Sequence, residues 1–549
     1  MSLPPERREG VPGPAGDAPS GTPGAASGDI RTHAGDASGS DTNVARVARG
    51  AGISTAGQGV GRVLGYLSLV VIAQLFGATV QGFYTAGVAV VNGAQILSRF
   101  GLENGVVRYV AHYRAAGDEP RVKGTIVQAI AVATGISLAL SAIMFFGAGL
   151  AEGLRFRDYS MVPVLRAFAI VLPFFTFMSM VVWATQGFST VTYASYVQQM
   201  IRPFLFLLLV PAFYLLTDDV VGIIAAYGVS MALGAVAGVY FLYRLFPPLF
   251  DTKAPMKFET RSLFSVSVPM SVTTGAQYLN TWGATLVLGF FAVGPAVAIF
   301  NNAARTATLS TIVRFAFSGI FSPIISSLYS QGNMEELGRL YRDIARWVFT
   351  GALAIFFVIL LLSGEILAVF GEEYTTGVAA LIVVAFAQLF SSSVGPTPRM
   401  LAMTDNQNVV MVATAAAAVV GLATSIALVW GAESVENRVL GAAVGMACGI
   451  VVENTATLIA VRRRLGFWPY DRQWTKPLAA GLLAAAAAYG LGLLLALPAI
   501  PAILLIGSVF GLVYLALLLL FGLSATDREF LAAFVDVAKR TLRRGRGAS

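Results

Sequence analysis

The sequence predicts an all-α polytopic membrane protein, with fourteen transmembrane helices arranged as two parallel six-helix bundles and two further C-terminal helices. Three observations predict it. Apolar residues make up 56% of the 549-residue chain, and Asp, Glu, Lys and Arg only 12%, about half the roughly 25% charged share of a soluble domain. The apolar residues fall into runs long enough to cross about 30 Å of hydrocarbon, which takes about 20 helical residues. The chain also repeats itself after six of those runs.

Residues 1–45 are Gly, Pro, Ala, Ser and Asp with almost nothing large and apolar. Such a segment buries too little surface to offset its ordering entropy, so a flexible tail is expected. It has no basic start followed by an apolar core, so nothing in it reads as a signal peptide. Spans are expected near 53–76, 80–101, 122–150, 160–184, 195–216, 219–245, 263–290, 294–321, 344–369, 376–400, 407–430, 438–461, 475–497 and 499–522. Residues 524–549 carry a capping box at Thr526 and Glu529, an apolar face at Phe530, Phe534 and Val537, and a basic end from Lys539 to Arg546. They read either as an interfacial helix on anionic lipid or as ordinary cytoplasmic positive bias.

Lys and Arg fix the expected orientation. The odd-numbered connections hold only Arg155, Arg157 and Arg438, whereas the even-numbered ones hold clusters such as Arg462, Arg463 and Arg464. Basic loops stay cytoplasmic, so both termini are expected in the cytoplasm and the protein in the cell membrane.

The repeat has an offset near 217 residues. AQLFGATVQGFYTAG is echoed by FFAVGPAVAIFNNAA, Gly117 and Gly332 differ by 215, and Arg244 and Arg463 by 219. An even number of spans returns the chain to the same side, so the two halves are parallel about an axis along the membrane normal. The expected units are a tail 1–45, a bundle 46–246, a linker 247–262, a bundle 263–465, two helices in 466–523 and a basic helix 524–549.

Several chemistries are poorly supplied. Cys448 is the single cysteine and only two histidines exist, so no disulfide, metal site or cofactor is expected, and the chain reads as a transporter, not an enzyme. Five arginines, Arg62, Arg166, Arg202, Arg305 and Arg314, fall more than five residues inside expected spans, where each costs roughly 2.5–3.5 kcal/mol unless it faces a cavity or a partner. Glu453 is the clear acid at that depth and a candidate coupling residue. The cationic excess suits an anionic passenger, because the guanidinium fork binds phosphate oxygens in pairs and stays charged.

Arg62 and Arg305 lie deepest and either line a polar cavity or tie to a neighbouring carbonyl or Glu453. Arg202 either lines it or snorkels, and snorkelling is favoured for Arg166 and Arg314. Arg99, Arg108 and Arg314 form a candidate cytoplasmic vestibule, with positive-inside anchoring the alternative for Arg99 and Arg108. Gln58, Asn92, Asn301 and Asn302 either meet sugar hydroxyls or join helices.

The stretches GAGISTAGQGVGRVLGYLSLVVIAQLFGATVQGFY, RYVAHYRAAGD, AIFNNAARTATLSTIVRFAFSGIFSPIISSLYSQGNMEEL and GAAVGMACGIVVENTATLIAVRRRLGFWP resemble the lipid-linked polysaccharide and oligosaccharide flippases of the multidrug/oligosaccharidyl-lipid/polysaccharide exporter superfamily. The resemblance covers most of residues 46–470. It implies two six-helix bundles in a V, and transfer of a polyprenyl-diphosphate-linked glycan to the external leaflet during surface polysaccharide or glycoprotein biosynthesis. It also implies that cavity arginines on helices 1 and 8 matter, here Arg62 and Arg305 by helix and depth. The expected partners are the lipid-linked oligosaccharide and membrane lipids, with glycosyltransferases or a polymerase as neighbours, no nucleic acid, and a monomeric state. A multidrug cation antiporter of the same superfamily and a membrane enzyme using a lipid-linked donor are the alternatives.

Overall fold

The computed structural model describes residues 37–153, 155–156, 159–495 and 497–522. The expected basic helix 524–549 and most of the expected tail lie outside them. Met1–Ala48 forms a unit of its own, and Arg49–Ser549 a second one, which concerns everything below. The first helix, Ala37–Arg99, starts inside the segment expected to be flexible. Ala45, Arg46, Ala48 and Arg49 favour helix intrinsically, which a reading based on the lack of large apolar residues overlooks.

Among the described residues the regular structure is helical apart from a two-residue ladder that pairs Arg155 with Ser160. Among the described residues, eleven helices are long and apolar enough to cross a membrane. Their largest buried cluster runs from Ile72 and Phe83 through Phe300 and Tyr374 to Phe510, so the sequence repeats share one core. The last two helices, Thr475–Leu494 and Ala499–Leu520, dock on the helix Met334–Leu361. There Tyr514 donates to the Thr350 carbonyl at 3.0 Å, and the buried Arg346 is held by Asp343 and Gln473.

The repeat is visible in the backbone. Gly77 (φ 73°) interrupts the first helix, and Gly294 (φ 109°), 217 residues later, precedes the helix Pro295–Ala307. Both torsions lie where a side chain is strained. The two helices begin differently. The Ala78 N–H, orphaned by the break, donates to a Glu373 carboxylate oxygen at 2.6 Å, whereas Pro295 has no N–H to satisfy. Gly117 and Gly332 have φ of 70° and 71°, and each is followed by a side-chain cap, Asp118 accepting from the Arg121 N–H and Asn333 from the Glu336 N–H.

Next to the breaks the repeats meet closely. A Cβ on Gly82 would lie 1.8 Å from the Gly294 carbonyl oxygen. Beside it Gln81, Asn302 and Tyr374 form a fully buried node: Asn302 Nδ2 donates to Gln81 Oε1 at 3.1 Å, and the Tyr374 hydroxyl donates to the same oxygen at 2.5 Å. Gln74 Nε2 donates to the Val369 carbonyl at 2.6 Å. This end of the helix assembly is sealed.

The connection between the repeats is fastened to the helix Glu119–Gly147. Lys123 is buried, with its ammonium on the carbonyls of Asp251 and Ala254. Arg121 pairs with Glu259 at 3.1 Å, and the Lys257 N–H donates to the Pro120 carbonyl at 3.0 Å. The next helix, Thr260–Phe291, then leans on both repeats: Ser267 lies against Gly101 and Gly105, and Gly283 lies against Leu422.

Candidate functional site: a cationic cavity

A cavity of about 610 Å³ opens among the helices that carry residues 58–72, 84–88, 198–206, 227, 282 and 301–311. Its size falls within the roughly 300–1,000 Å³ of small-molecule sites. Arg62, Arg202 and Arg305 line it, with Gln58 and Asn301, and among the described residues no Asp or Glu does.

Each arginine is placed by local structure. Arg62 lies on the first helix and donates to the Thr311 hydroxyl at 3.5 Å, across to the second repeat. Beside it the Tyr66 hydroxyl and the Thr306 hydroxyl are 3.0 Å apart. Arg202 follows a π-helical turn, Tyr196–Ile201. Pro203 has no N–H to give the Gln199 carbonyl in α-helical register, and its ring crowds that oxygen. The turn widens, and Gly61 packs on the same carbonyl, where a Cβ would lie at 2.6 Å. π-turns recur at functional sites. Arg202 lies beside Tyr227, while its Nε and Gln199 Oε1 are buried without a partner.

Arg305 ends the helix Pro295–Ala307. Its side chain is exposed by surface area although protein surrounds it, because its accessible surface faces the cavity. Its guanidinium carbon lies 5.1 Å from the Trp282 ring centroid. Arg62 and Arg305 are close enough to repel, and Tyr84 lies in the field of both Arg202 and Arg305. Three cations, with no Asp or Glu among the described lining residues, form a region of positive potential that an anion would neutralise.

Other residues picked out from the sequence lie elsewhere. Asn302 is buried in the Gln81 node, and Asn92 donates to the Val88 carbonyl of its own helix at 2.7 Å. Arg99 pairs with Glu103 at 3.8 Å, largely buried, and so offers no free charge to a vestibule. Arg108 is exposed on the neighbouring helix Leu102–Ala115. Arg314 is not at a vestibule either: it donates to Ser391 Oγ at 2.6 Å and is the cation that interacts with Glu453. Arg166 is exposed with Phe145 against it, at 5.7 Å. Glu453 accepts from the Thr414 hydroxyl at 2.9 Å and lines a separate cavity of about 40 Å³ with Asn280 and Ser425. Sequence reading missed Tyr84, Gln198, Gln199, Tyr227 and Trp282 as cavity residues. Aromatic residues inside apolar runs carry no signal that separates a cavity wall from a core.

No curated protein sequence matches the chain. Among solved structures it is similar to "Lipid II flippase MurJ, inward closed conformation", at 12% identity and a TM-score of 0.67, covering 85% of this chain and 98% of that one. It is also similar to an inward-facing multidrug resistance MATE family transporter of the MOP superfamily, at 16% identity and a TM-score of 0.60, covering 74% and 94%. At such identities the likeness shows the fold. The family profile described as "Polysaccharide biosynthesis protein" matches residues 47–329. With more than half its length matched, the chain belongs to the polysaccharide biosynthesis protein family of multi-pass membrane proteins.

Proposed function

We propose that the protein moves a polyprenyl-diphosphate-linked oligosaccharide from the cytoplasmic to the external leaflet of the cell membrane by alternating access. The observation that carries this reading is the cavity, lined by no Asp or Glu among the described residues, whose arginines come from both repeats, Arg62 and Arg202 from the first and Arg305 from the second. A diphosphate bridging them would hold the two repeats together and travel with their rearrangement. Gln58, Asn301 and the glutamines of the π-turn supply hydrogen bonds for sugar hydroxyls.

Fourteen crossings in two six-helix bundles plus two helices suit the fold. The helix Gly57–Arg99 has 43 residues, about 65 Å at 1.5 Å per residue, and its break at Gly77 divides it into two crossings. Thr260–Phe291 and the segment from Pro295 to Ser330 supply two more. The basic even-numbered connections favour cytoplasmic termini, which makes the sealed end external. Glycosyltransferases or a polymerase would supply or consume the glycan.

The antiporter alternative draws on the likeness to a multidrug transporter. A cationic drug, however, would meet three arginines in this cavity. Glu453, a candidate coupling acid, sits apart from it beside Arg314.

The test is transfer of a fluorescent polyprenyl-diphosphate glycan in reconstituted vesicles. Each arginine contributes charge-assisted bonds of about 1.5–3 kcal/mol. The Arg62→Ala, Arg305→Ala double variant is therefore expected to lose at least about 100-fold in rate. Transfer equal to wild type sinks the assignment.

A further inference from the structure

Building on the diphosphate reading of the cavity, we infer that Trp282 is a positioning residue: its indole face holds the Arg305 guanidinium in place while leaving the guanidinium N–H groups for phosphate oxygens. Arg305 is the cavity cation with the most open side chain, exposed where Arg62 and Arg202 are half-buried. A long, rotamer-rich side chain in an open cavity needs something to hold it. Among the described residues no carboxylate does so. The groups that act on Arg305 are Trp282, Tyr84 and the repelling charge of Arg62.

The choice of anchor has a chemical consequence. A bidentate carboxylate would occupy two of the five guanidinium donors and offset the charge. An aromatic face attracts the cation through its quadrupole and takes no donor. Arg305 therefore stays fully charged, with its N–H edge directed to ligand. Trp282 also belongs to the helix Thr260–Phe291, whereas Arg305 is on Pro295–Ala307. The indole thus fixes the arginine from a neighbouring element, beyond the turn at Gly294.

Binding of inorganic diphosphate to the purified full-length protein tests this. Cation–π attraction follows Trp, then Tyr, then Phe, and is worth up to a few tens-fold when desolvated. Trp282→Tyr, Trp282→Phe and Trp282→Leu should weaken diphosphate binding in that order, the leucine variant by roughly 5- to 30-fold, with thermal unfolding held near wild type. In protein labelled with 5-fluorotryptophan, the resonance that Trp282→Phe removes should shift on Arg305→Gln, and shift in the wild type when diphosphate is added. A leucine variant that binds as tightly as wild type, while Arg305→Gln binds weakly, overturns the role of Trp282 and leaves the cavity reading standing. Diphosphate binding that Arg305→Gln leaves intact overturns the cavity reading itself and this inference with it. If the leucine variant does not fold, equal affinities for the tyrosine, phenylalanine and wild-type proteins, with a fluorine resonance indifferent to Arg305, refute it.

Discussion

Substituting Gly82 by alanine probes the sealed end most directly. The added Cβ would lie 1.8 Å from the Gly294 carbonyl oxygen and 2.5 Å from its carbon, so the two backbones must part by about 1.6 Å to restore ordinary contact. The same displacement stretches the 3.1 Å bond between Asn302 and Gln81 past any useful length. Overpacking costs about 1–3 kcal/mol, and each buried hydrogen bond lost adds about 0.5–1.5 kcal/mol. The sum is about 3 kcal/mol against the sealed arrangement. It does not weigh on an arrangement in which these helices are already apart, so the ratio of open to sealed shifts on the order of 100-fold. The assay is labelling of a cavity cysteine, Leu309→Cys in a Cys448→Ala background, with an impermeant maleimide applied from the sealed side. Leu309 lines the cavity, and Cys448 is the protein's single thiol. Gly82→Ala should label far faster than its parent. Gly59→Ala, whose Cβ meets nothing within 4 Å, should label like the parent. A folded Gly82→Ala protein that labels at the parent's rate refutes the close contact as a seal.

Two further outcomes follow from the same geometry. Glu373→Gln keeps an acceptor for the Ala78 N–H but removes the charge at a helix start, worth about 0.3–1 kcal/mol at an exposed site, so labelling from the sealed side should rise about 2- to 5-fold and the parent's sensitivity to salt should fade. Lys123→Met withdraws the buried ammonium from the Asp251 and Ala254 carbonyls, at about 1.5–3 kcal/mol for a charged hydrogen bond; trypsin should then cut after Lys253 or Lys257 at least about tenfold faster, and an unchanged digestion rate would show the connection to be held by other contacts.

The sequence made legible what is expensive in a membrane. Arg62, Arg202 and Arg305 stood out because charge inside an apolar run demands a reason, and all three line one cavity. The repeated stretches AQLFGATVQGFYTAG and FFAVGPAVAIFNNAA contain Gly77 and Gly294, the glycines at which the backbone turns to positive φ. What stayed hidden depends on angle and partner. Asn301 faces the cavity and the adjacent Asn302 faces the seal, a difference of about 100° around a helix that composition does not record. Arg99 reads from the sequence as either a vestibule cation or a positive-inside anchor, and its ion pair with Glu103, four residues on, shows only in the structure. The π-turn before Arg202 was announced only by Pro203, a residue that more often marks an ordinary helix start.

The unequal helix starts at the sealed end have a consequence for how that end gives way. Pro295 brings no donor, while Ala78 borrows its acceptor from Glu373, in a different segment of the chain. Glu373 is exposed, so this bond is already shared with water, and closure rests on the fully buried node of Gln81, Asn302 and Tyr374 behind it. Water can replace Glu373 as acceptor for the Ala78 N–H at little cost, whereas water entering the node must break bonds between buried groups. An end held by such a node resists small excursions and, once it parts, parts cooperatively.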